Sequence, residues 1–313
     1  MSNLSCRHLL SINNLSNADV ELILSTAESF KDISEREIKK VPTLRGKTVV
    51  NCFFETSTRT RMSFEVAEKR LSADILNFSA SGSAMSKKGE SLNDTLLNIE
   101  AMNPDVWIIR HGQSGAAKLA SELVSGHVIN AGDGAHEHPT QALLDLFTIK
   151  EKKKKVKGLK VAIVGDIAHS RVARSNMILF SRMGMEVFVS GPPTLMPPGL
   201  EQYNVTVVTN TEEIIPELDV LMALRIQRER MGEQYFPNDL EYAKYFGIDD
   251  EKLKGAKNDL IIMHPGPVNR GVELAQSVID GPRSVILPQV TNGVAIRMAL
   301  LYLLMGTHDE TAQ

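Results

Sequence analysis

Apolar positions along this chain follow two alternating rhythms. Short, largely apolar runs predict strands at 48–54, 75–78, 106–109 and 128–130, and helical spacing predicts helices near 60–71, 91–102 and 115–123. Ahead of them, Ser16 with Asp19 three residues later forms a capping signature, and Val20, Ile23, Leu24, Ala27 and Phe30 then recur at helical spacing. A charged stretch, 150–157, interrupts the pattern before a second series begins at Lys160-Val161-Ala162-Ile163-Val164-Gly165. Further strands are predicted at 187–190, 205–208, 220–224 and 260–263. Strands alternating with helices read as an α/β fold of two similar domains, each a parallel sheet flanked by helices. The last helix, 293–305, is apolar at Val294, Ile296, Met298, Leu300, Leu301, Leu303 and Leu304 and must pack on a domain surface. We expect it to return to the first. The expected boundaries are 1–140 with 293–313 for one domain and 141–292 for the other.

Composition narrows the class of protein. Of 313 residues, 42% are hydrophobic and 23% charged, enough apolar content for globular folding, and no unbroken apolar run reaches the roughly 20 residues that span a bilayer. The first ten residues lack the apolar core of a secretory signal, so a cytoplasmic location is expected. The two cysteines, Cys6 and Cys52, offer neither a disulfide framework nor metal-ligand spacing. A net charge of -3 gives no global reason to bind nucleic acid or an anionic membrane, so anion binding must be local.

Several strand ends carry chemistry. The segment Glu55-Thr56-Ser57-Thr58-Arg59-Thr60-Arg61 joins a strand to a helix. Unpaired N–H groups at a helix start, hydroxyls and an arginine fork together suit a phosphate, although a capped helix with solvated arginines would read the same way. Arg110 closes another strand, where open α/β sheets place their ligands. His136, His138 and Gln141 follow a third. A histidine N–H and a glutamine amide can polarise a carbonyl, whereas a lone His-x-His pair is a weak metal signal, and we expect no metal. Neither Gly132-x-Gly134 nor the turn 165–171 completes a dinucleotide fingerprint, which disfavours hydride transfer. Arg171 opens a helix in the second half, and Arg225, Gln227, Arg228 and Arg230 follow a strand. Separated arginine forks fit a dicarboxylate, and an exposed helix with paired charges is the alternative. In His264-Pro265-Gly266-Pro267 the prolines hold backbone carbonyls in a turn that an amide NH₂ could meet.

In order and separation, Ser57-Thr58-Arg59-Thr60-Arg61, His138-Pro139-Thr140-Gln141, Arg225-x-Gln227-x-x-Arg230 and His264-Pro265-Gly266-Pro267 resemble the aspartate carbamoyltransferase catalytic chain over nearly the whole sequence. The resemblance implies carbamoyl transfer from carbamoyl phosphate to L-aspartate without a cofactor. It assigns Ser57, Thr58, Arg59, Thr60 and Arg110 to the phosphate, and His138 and Gln141 to the carbamoyl group, with Gly266 and Pro267 contributing backbone groups. Arg59, Thr60, Arg110 and His138 are the expected catalytic residues. Arg171, Arg225 and Gln227 would hold aspartate, with Arg230 supporting their loop. Lys88 would reach a neighbouring subunit's site, implying a homotrimer with shared active sites.

Two positions depart from the pattern. Ala84 stands where many members have serine, with Ser83 and Ser86 nearby, and Gly266 stands where the allosteric members have leucine. Gly266 speaks against a regulatory chain, while higher assembly with regulatory or dihydroorotase chains stays open. The ornithine branch is the nearest alternative, but its expected cysteine at the 264–267 turn and its Asp-x-x-x-Ser-Met-Gly type motif are missing. Acetylated or succinylated amino acids, and a non-catalytic anion-binding relative, are more distant alternatives.

Overall fold

The structure is a computed structural model that describes residues 4–79, 89–227 and 238–305. Lys88, Ala84, Ser83, Ser86, Arg228 and Arg230 lie outside the described residues. The chain divides into two compact units, with breaks after Leu144 and after Gln289, so the segment from Val290 onward belongs with the first unit.

In the first unit, helix α1 (Asn17–Glu35) starts at a reciprocal capping box: Ser16 Oγ accepts from the Asp19 amide at 3.1 Å, and Asp19 Oδ2 accepts from the Ser16 amide at 2.8 Å. The elements that follow are β1 (Thr48–Phe53), α2 (Thr58–Leu71), β2 (Asp74–Ser79), α3 (Leu92–Glu100), β3 (Val106–His111), α4 (Ala116–Leu123), β4 (His127–Asp133) and α5 (Pro139–Lys153). The four strands form a parallel sheet in the order β2-β1-β3-β4. β4 is buried throughout and β3 nearly so, whereas β2 lies at an edge and has only exposed and half-buried residues, matching its more polar sequence.

The second unit repeats the plan with β5 (Lys160–Val164), α6 (Arg171–Arg182), β6 (Glu186–Ser190), β7 (Thr206–Val207), β8 (Val220–Ala223), α7 (Asp239–Tyr245), β9 (Ile261–Met263) and α8 (Gln276–Ile279). Its parallel sheet runs β7-β6-β5-β8-β9 around a core that includes Ala162, Val164, Leu221, Ala223 and Ile262. Each sheet reverses its build direction once, between β1 and β3 and between β5 and β8, and ligands gather beyond the strand ends at such switch points.

Every predicted strand is present, but two helix readings need correction. The charged stretch 150–157 does not interrupt the pattern from its start: Lys150, Lys152 and Lys153 form the last turn of α5, where cations suit the negative end of the helix dipole. The final helix, α9 (Ile286–Met305), starts seven residues before the predicted 293. Pro288 occupies its first turn, where no amide donor is required, and Gly293 lies inside it. A Cβ at Gly293 would stand 2.6 Å from Arg297 Nη1, so the glycine marks a close approach and not a helix boundary.

By length and composition α9 could cross a membrane. Here it is a core helix that returns to the first unit. Ile296, Met298, Ala299, Leu300 and Leu301 are fully buried, Tyr302 meets Phe30 edge-on at 5.7 Å, and Arg297 lies 4.9 Å above the Phe64 ring while donating to Ser63 Oγ at 2.8 Å.

Candidate active site

Four residues after β1, Ser57 takes the N-cap position of α2 in an extended conformation, yet its side chain makes no capping bond. The first backbone bond of the helix is Arg61 N–H to Ser57 O at 3.2 Å. A capping serine normally accepts from the second or third helical amide, so this hydroxyl is not spent on the helix and the simple-cap reading loses its support. Ser57 is half-buried, Thr58 and Arg59 are exposed, and Thr60 is buried beneath them. Hydroxyls, helix-start amides and a guanidinium therefore share one turn at the positive end of the helix dipole.

Arg110 is tied to this turn through the backbone. It pairs with Phe53 in the β1–β3 register, and its carbonyl accepts from Phe54 N–H at 2.8 Å. Its largely buried guanidinium donates to Ala131 O at 2.9 Å and to Glu55 Oε1 at 3.0 Å. Glu55, which carried no role in the sequence reading, thus orients Arg110 from inside the turn that bears Ser57 and Arg59.

The segment after β4 is set by Asp133. Its carboxylate accepts from Asn130 Nδ2, Glu137 N–H and Gly115 N–H, and pairs with His136 Nδ1 at 3.2 Å. Burial alone raises its pKa, but the bonds from His136, Gly115, Asn130 and Glu137 outweigh burial and hold the carboxyl below the usual aspartate range. His138 and Gln141 are both buried at the start of α5, joined by Gln141 N–H to His138 O at 3.0 Å. Gly134 folds tightly against Ser114, whose Oγ would lie 2.5 Å from an added Cβ, so Gly132-x-Gly134 is a packing turn.

In the second unit, Arg171 opens α6, 3% exposed, behind the N-cap Ser170, whose hydroxyl accepts from Ala173 N–H at 3.1 Å. Asp166, fully buried, accepts from Gln227 N–H at 3.2 Å and from His169 N–H at 3.1 Å, and pairs with His169 Nδ1 at 2.9 Å. Arg225 and Gln227 lie just past β8 in an irregular segment and not in the exposed helix considered as the alternative. Ile226 between them donates its amide to Glu273 Oε1 at 3.0 Å. Glu273 also accepts from Asn269, at 2.8 Å from the backbone amide and 2.6 Å from Nδ2. Burial raises its carboxyl above the usual glutamate range, opposed by the bonds from Ile226 and Asn269.

The turn after β9 is held from within and from behind. Gly266 N–H donates to His264 Nδ1 at 2.8 Å, which leaves the proton of the neutral ring on Nε2. His264 N–H donates to Gln289 Oε1 at 3.0 Å, and Gln289 Nε2 donates to the buried Asp145 at 2.8 Å. Gly266 has φ of 67°, a conformation that favours glycine over the leucine of the allosteric pattern, and the Gly266–Pro267 bond is cis. Glu273, Gln289 and Asp145 escaped the sequence reading because a buried acceptor of N–H groups has no sequence signature apart from polarity.

Comparison with known proteins adds a second line of observation. Residues 7–151 match the family described as "Aspartate/ornithine carbamoyltransferase, carbamoyl-P binding domain", and residues 157–304 match "Aspartate/ornithine carbamoyltransferase, Asp/Orn binding domain". The chain is 57% identical over 309 residues to the aspartate carbamoyltransferase catalytic subunit of Syntrophotalea carbinolica, covering 98% of each. Among solved structures, it is similar to the catalytic subunit of M. Jannaschii aspartate transcarbamoylase, with 34% identity, a TM-score of 0.84 and coverage of 97% of this chain and 100% of that one. It is also similar to Trypanosoma cruzi aspartate transcarbamoylase in complex with carbamoyl phosphate and aspartate, with 30% identity, a TM-score of 0.83 and 94% coverage of both.

Proposed function

Because this chain belongs to the aspartate/ornithine carbamoyltransferase family, we propose that it transfers the carbamoyl group of carbamoyl phosphate to the amino group of L-aspartate, giving N-carbamoyl-L-aspartate and phosphate, a step of pyrimidine biosynthesis. The observation that carries the reading is the start of α2, where Ser57 does not cap its own helix and Arg110 is fastened to the same turn by Glu55 and Phe54. Such a turn suits a phosphate. Arg171 and Arg225 at the switch point of the second sheet favour an acceptor with two carboxylates over a cationic one.

In this reading Ser57, Thr58, Arg59, Thr60 and Arg110 hold the phosphate, His138 and Gln141 attend the carbamoyl carbonyl, and Gly266 and Pro267 offer backbone groups. Arg171, Arg225, Gln227 and Lys88 hold aspartate. The neutral amine attacks the carbonyl carbon, a C–N bond forms, and the tetrahedral intermediate collapses as the C–O bond to phosphate breaks. The amine's proton leaves with the phosphate. Donors fixed in advance around the developing oxyanion and leaving group lower the barrier, and each is worth about 2.7 to 4 kcal/mol in comparable sites. The two substrates supply every atom of the products, so the proposed reaction draws on no cofactor.

Residues 1–140 with 293–313 form the carbamoyl-phosphate part of this proposal and residues 141–292 the aspartate part. A cytoplasmic homotrimer with sites shared through Lys88 completes it, and assembly with regulatory or dihydroorotase chains is compatible with it. The deciding experiment measures product formation from carbamoyl phosphate with L-aspartate or L-ornithine in parallel, using purified protein without added metal. Turnover with aspartate alone is expected. Turnover with ornithine alone would refute the acceptor assignment, and carbamoyl phosphate binding with no turnover would refute the catalytic role.

A further inference from the structure

Three segments of the second unit carry the acceptor-side groups of the proposed reaction: the turn leading to Arg171, the segment 225–227, and the turn at Gly266 and Pro267. None of them is a regular element. Loop backbones buried beside a site must find acceptors for their amides, and here two buried carboxylates supply them. Asp166 accepts from Gln227 N–H at 3.2 Å and holds His169, two residues before Arg171. Glu273, only 2% exposed, accepts from Ile226 N–H at 3.0 Å and, through its other oxygen, from Asn269 N–H at 2.8 Å. Burial first, and then the charges of Glu273 and Asp166, raise the pKa of the Tyr242 phenol, so both carboxylates lie in its neighbourhood.

We infer that Glu273 is a positioning residue that couples the aspartate-binding segment around Arg225 and Gln227 to the Gly266–Pro267 turn, because its single carboxylate accepts amides from Ile226 and Asn269. The inference rests on the proposed function for the meaning of those two segments. A carboxylate suits the task because it is acceptor-only and can receive several N–H groups on two oxygens. Glutamine has nearly the same shape, but its NH₂ group would confront one of the two amides, donor against donor. Aspartate keeps both acceptors on a shorter stem and cannot reach both loops from the same backbone position. Hydrogen bonds to a charged group are worth roughly 1.5 to 3 kcal/mol, which corresponds to about tenfold or more in binding or rate.

The test compares wild type with Glu273→Gln and Glu273→Asp in steady-state kinetics, with melting temperature and amide exchange recorded on the same samples. Glu273→Gln is expected to raise KM for aspartate about tenfold and to lower kcat, while inhibition by inorganic phosphate alone changes less than about twofold, since the phosphate turn lies in the other unit. Exchange at Ile226 and Asn269 should accelerate together in both variants. A purely structural role would lower the melting temperature and the active fraction with KM unchanged, and that result overturns the inference. Exchange that accelerates at only one of the two amides also overturns it. If wild type fails to turn over aspartate, the functional reading falls, and joint exchange at the two amides alone decides the coupling.

Discussion

Glu68 on α2 is fully buried against β1, and its Oε2 accepts from Asn51 Nδ2 at 2.9 Å. Neither Glu68 Oε1 nor Asn51 Oδ1 has a hydrogen-bond partner among the described residues. Burial pushes the Glu68 carboxyl up to about 8 against the smaller pull of Asn51, so at neutral pH the folded protein holds it protonated. An unfolded chain releases that proton near the ordinary glutamate value. Stability from this group is therefore complete at acidic pH and is lost as pH rises towards about 8. Glu68→Gln should match wild type near pH 5 in urea unfolding and exceed it by a few kcal/mol above pH 8. A difference between the two that does not vary with pH would mean that Glu68 is not a buried acid. The same helix begins with the proposed phosphate turn, so a neutral acid at its far end also keeps a second negative charge away from an anion site.

At the scale of elements, α9 shows a local propensity overruled by packing. Glycine inside a helix costs about 1 kcal/mol relative to alanine, and Gly293→Ala should stabilise on that ground alone. The added Cβ would meet Arg297 Nη1 at 2.6 Å and Leu144 Cδ2 at 3.2 Å, and Arg297 is itself engaged with Ser63, Phe64 and Gly293 O. Overpacking of this kind costs typically 1 to 3 kcal/mol, so the net expectation is destabilisation of up to about 2 kcal/mol in denaturant unfolding. Increased stability would show that the Arg297 head group swings away at little cost. Because Ser63 lies on α2 one turn beyond Thr60, the contact also links the last helix to the element that opens with the phosphate turn.

For the whole molecule, the proposed assembly predicts complementation. Arg59→Ala should lose at least about a hundredfold in turnover by removing one leaving-group donor, and Lys88→Ala should be severely impaired if that lysine serves a neighbour's site. When the two inactive variants exchange subunits at equal concentration, a site built from Arg59 of one chain and Lys88 of another escapes both lesions with a probability of one half times one half. Activity should return to about a quarter of wild type in a closed ring of chains. No recovery after verified exchange would place both residues in the same chain's site and remove the argument for shared sites.

How much was legible in advance follows the same physics. Strands were readable because burial on both faces makes them short apolar runs, helices because burial on one face imposes a period on the apolar residues, and the capping box at Ser16 and Asp19 acts within four residues. The motifs at Ser57, His138, Arg225 and His264 were readable because each sits in one short turn at a strand end. Less was legible where a residue acts across a long separation. Glu55 on Arg110, Glu273 on Ile226 and Gln289 on His264 are contacts between segments that only the sheet topology brings together, and in sequence each is an ordinary polar residue. The start of α9 was misplaced because Pro288 and Gly293 are helix breakers by local propensity, and only the tertiary neighbours of Gly293 turn its missing side chain into a requirement. The amino-acid sequence by itself determined the class of fold and the kind of chemistry, since periodicity and turn composition are local. The tertiary structure alone decided which buried acceptors hold the site loops in place, since hydrogen bonds between distant segments exist only after the chain has folded.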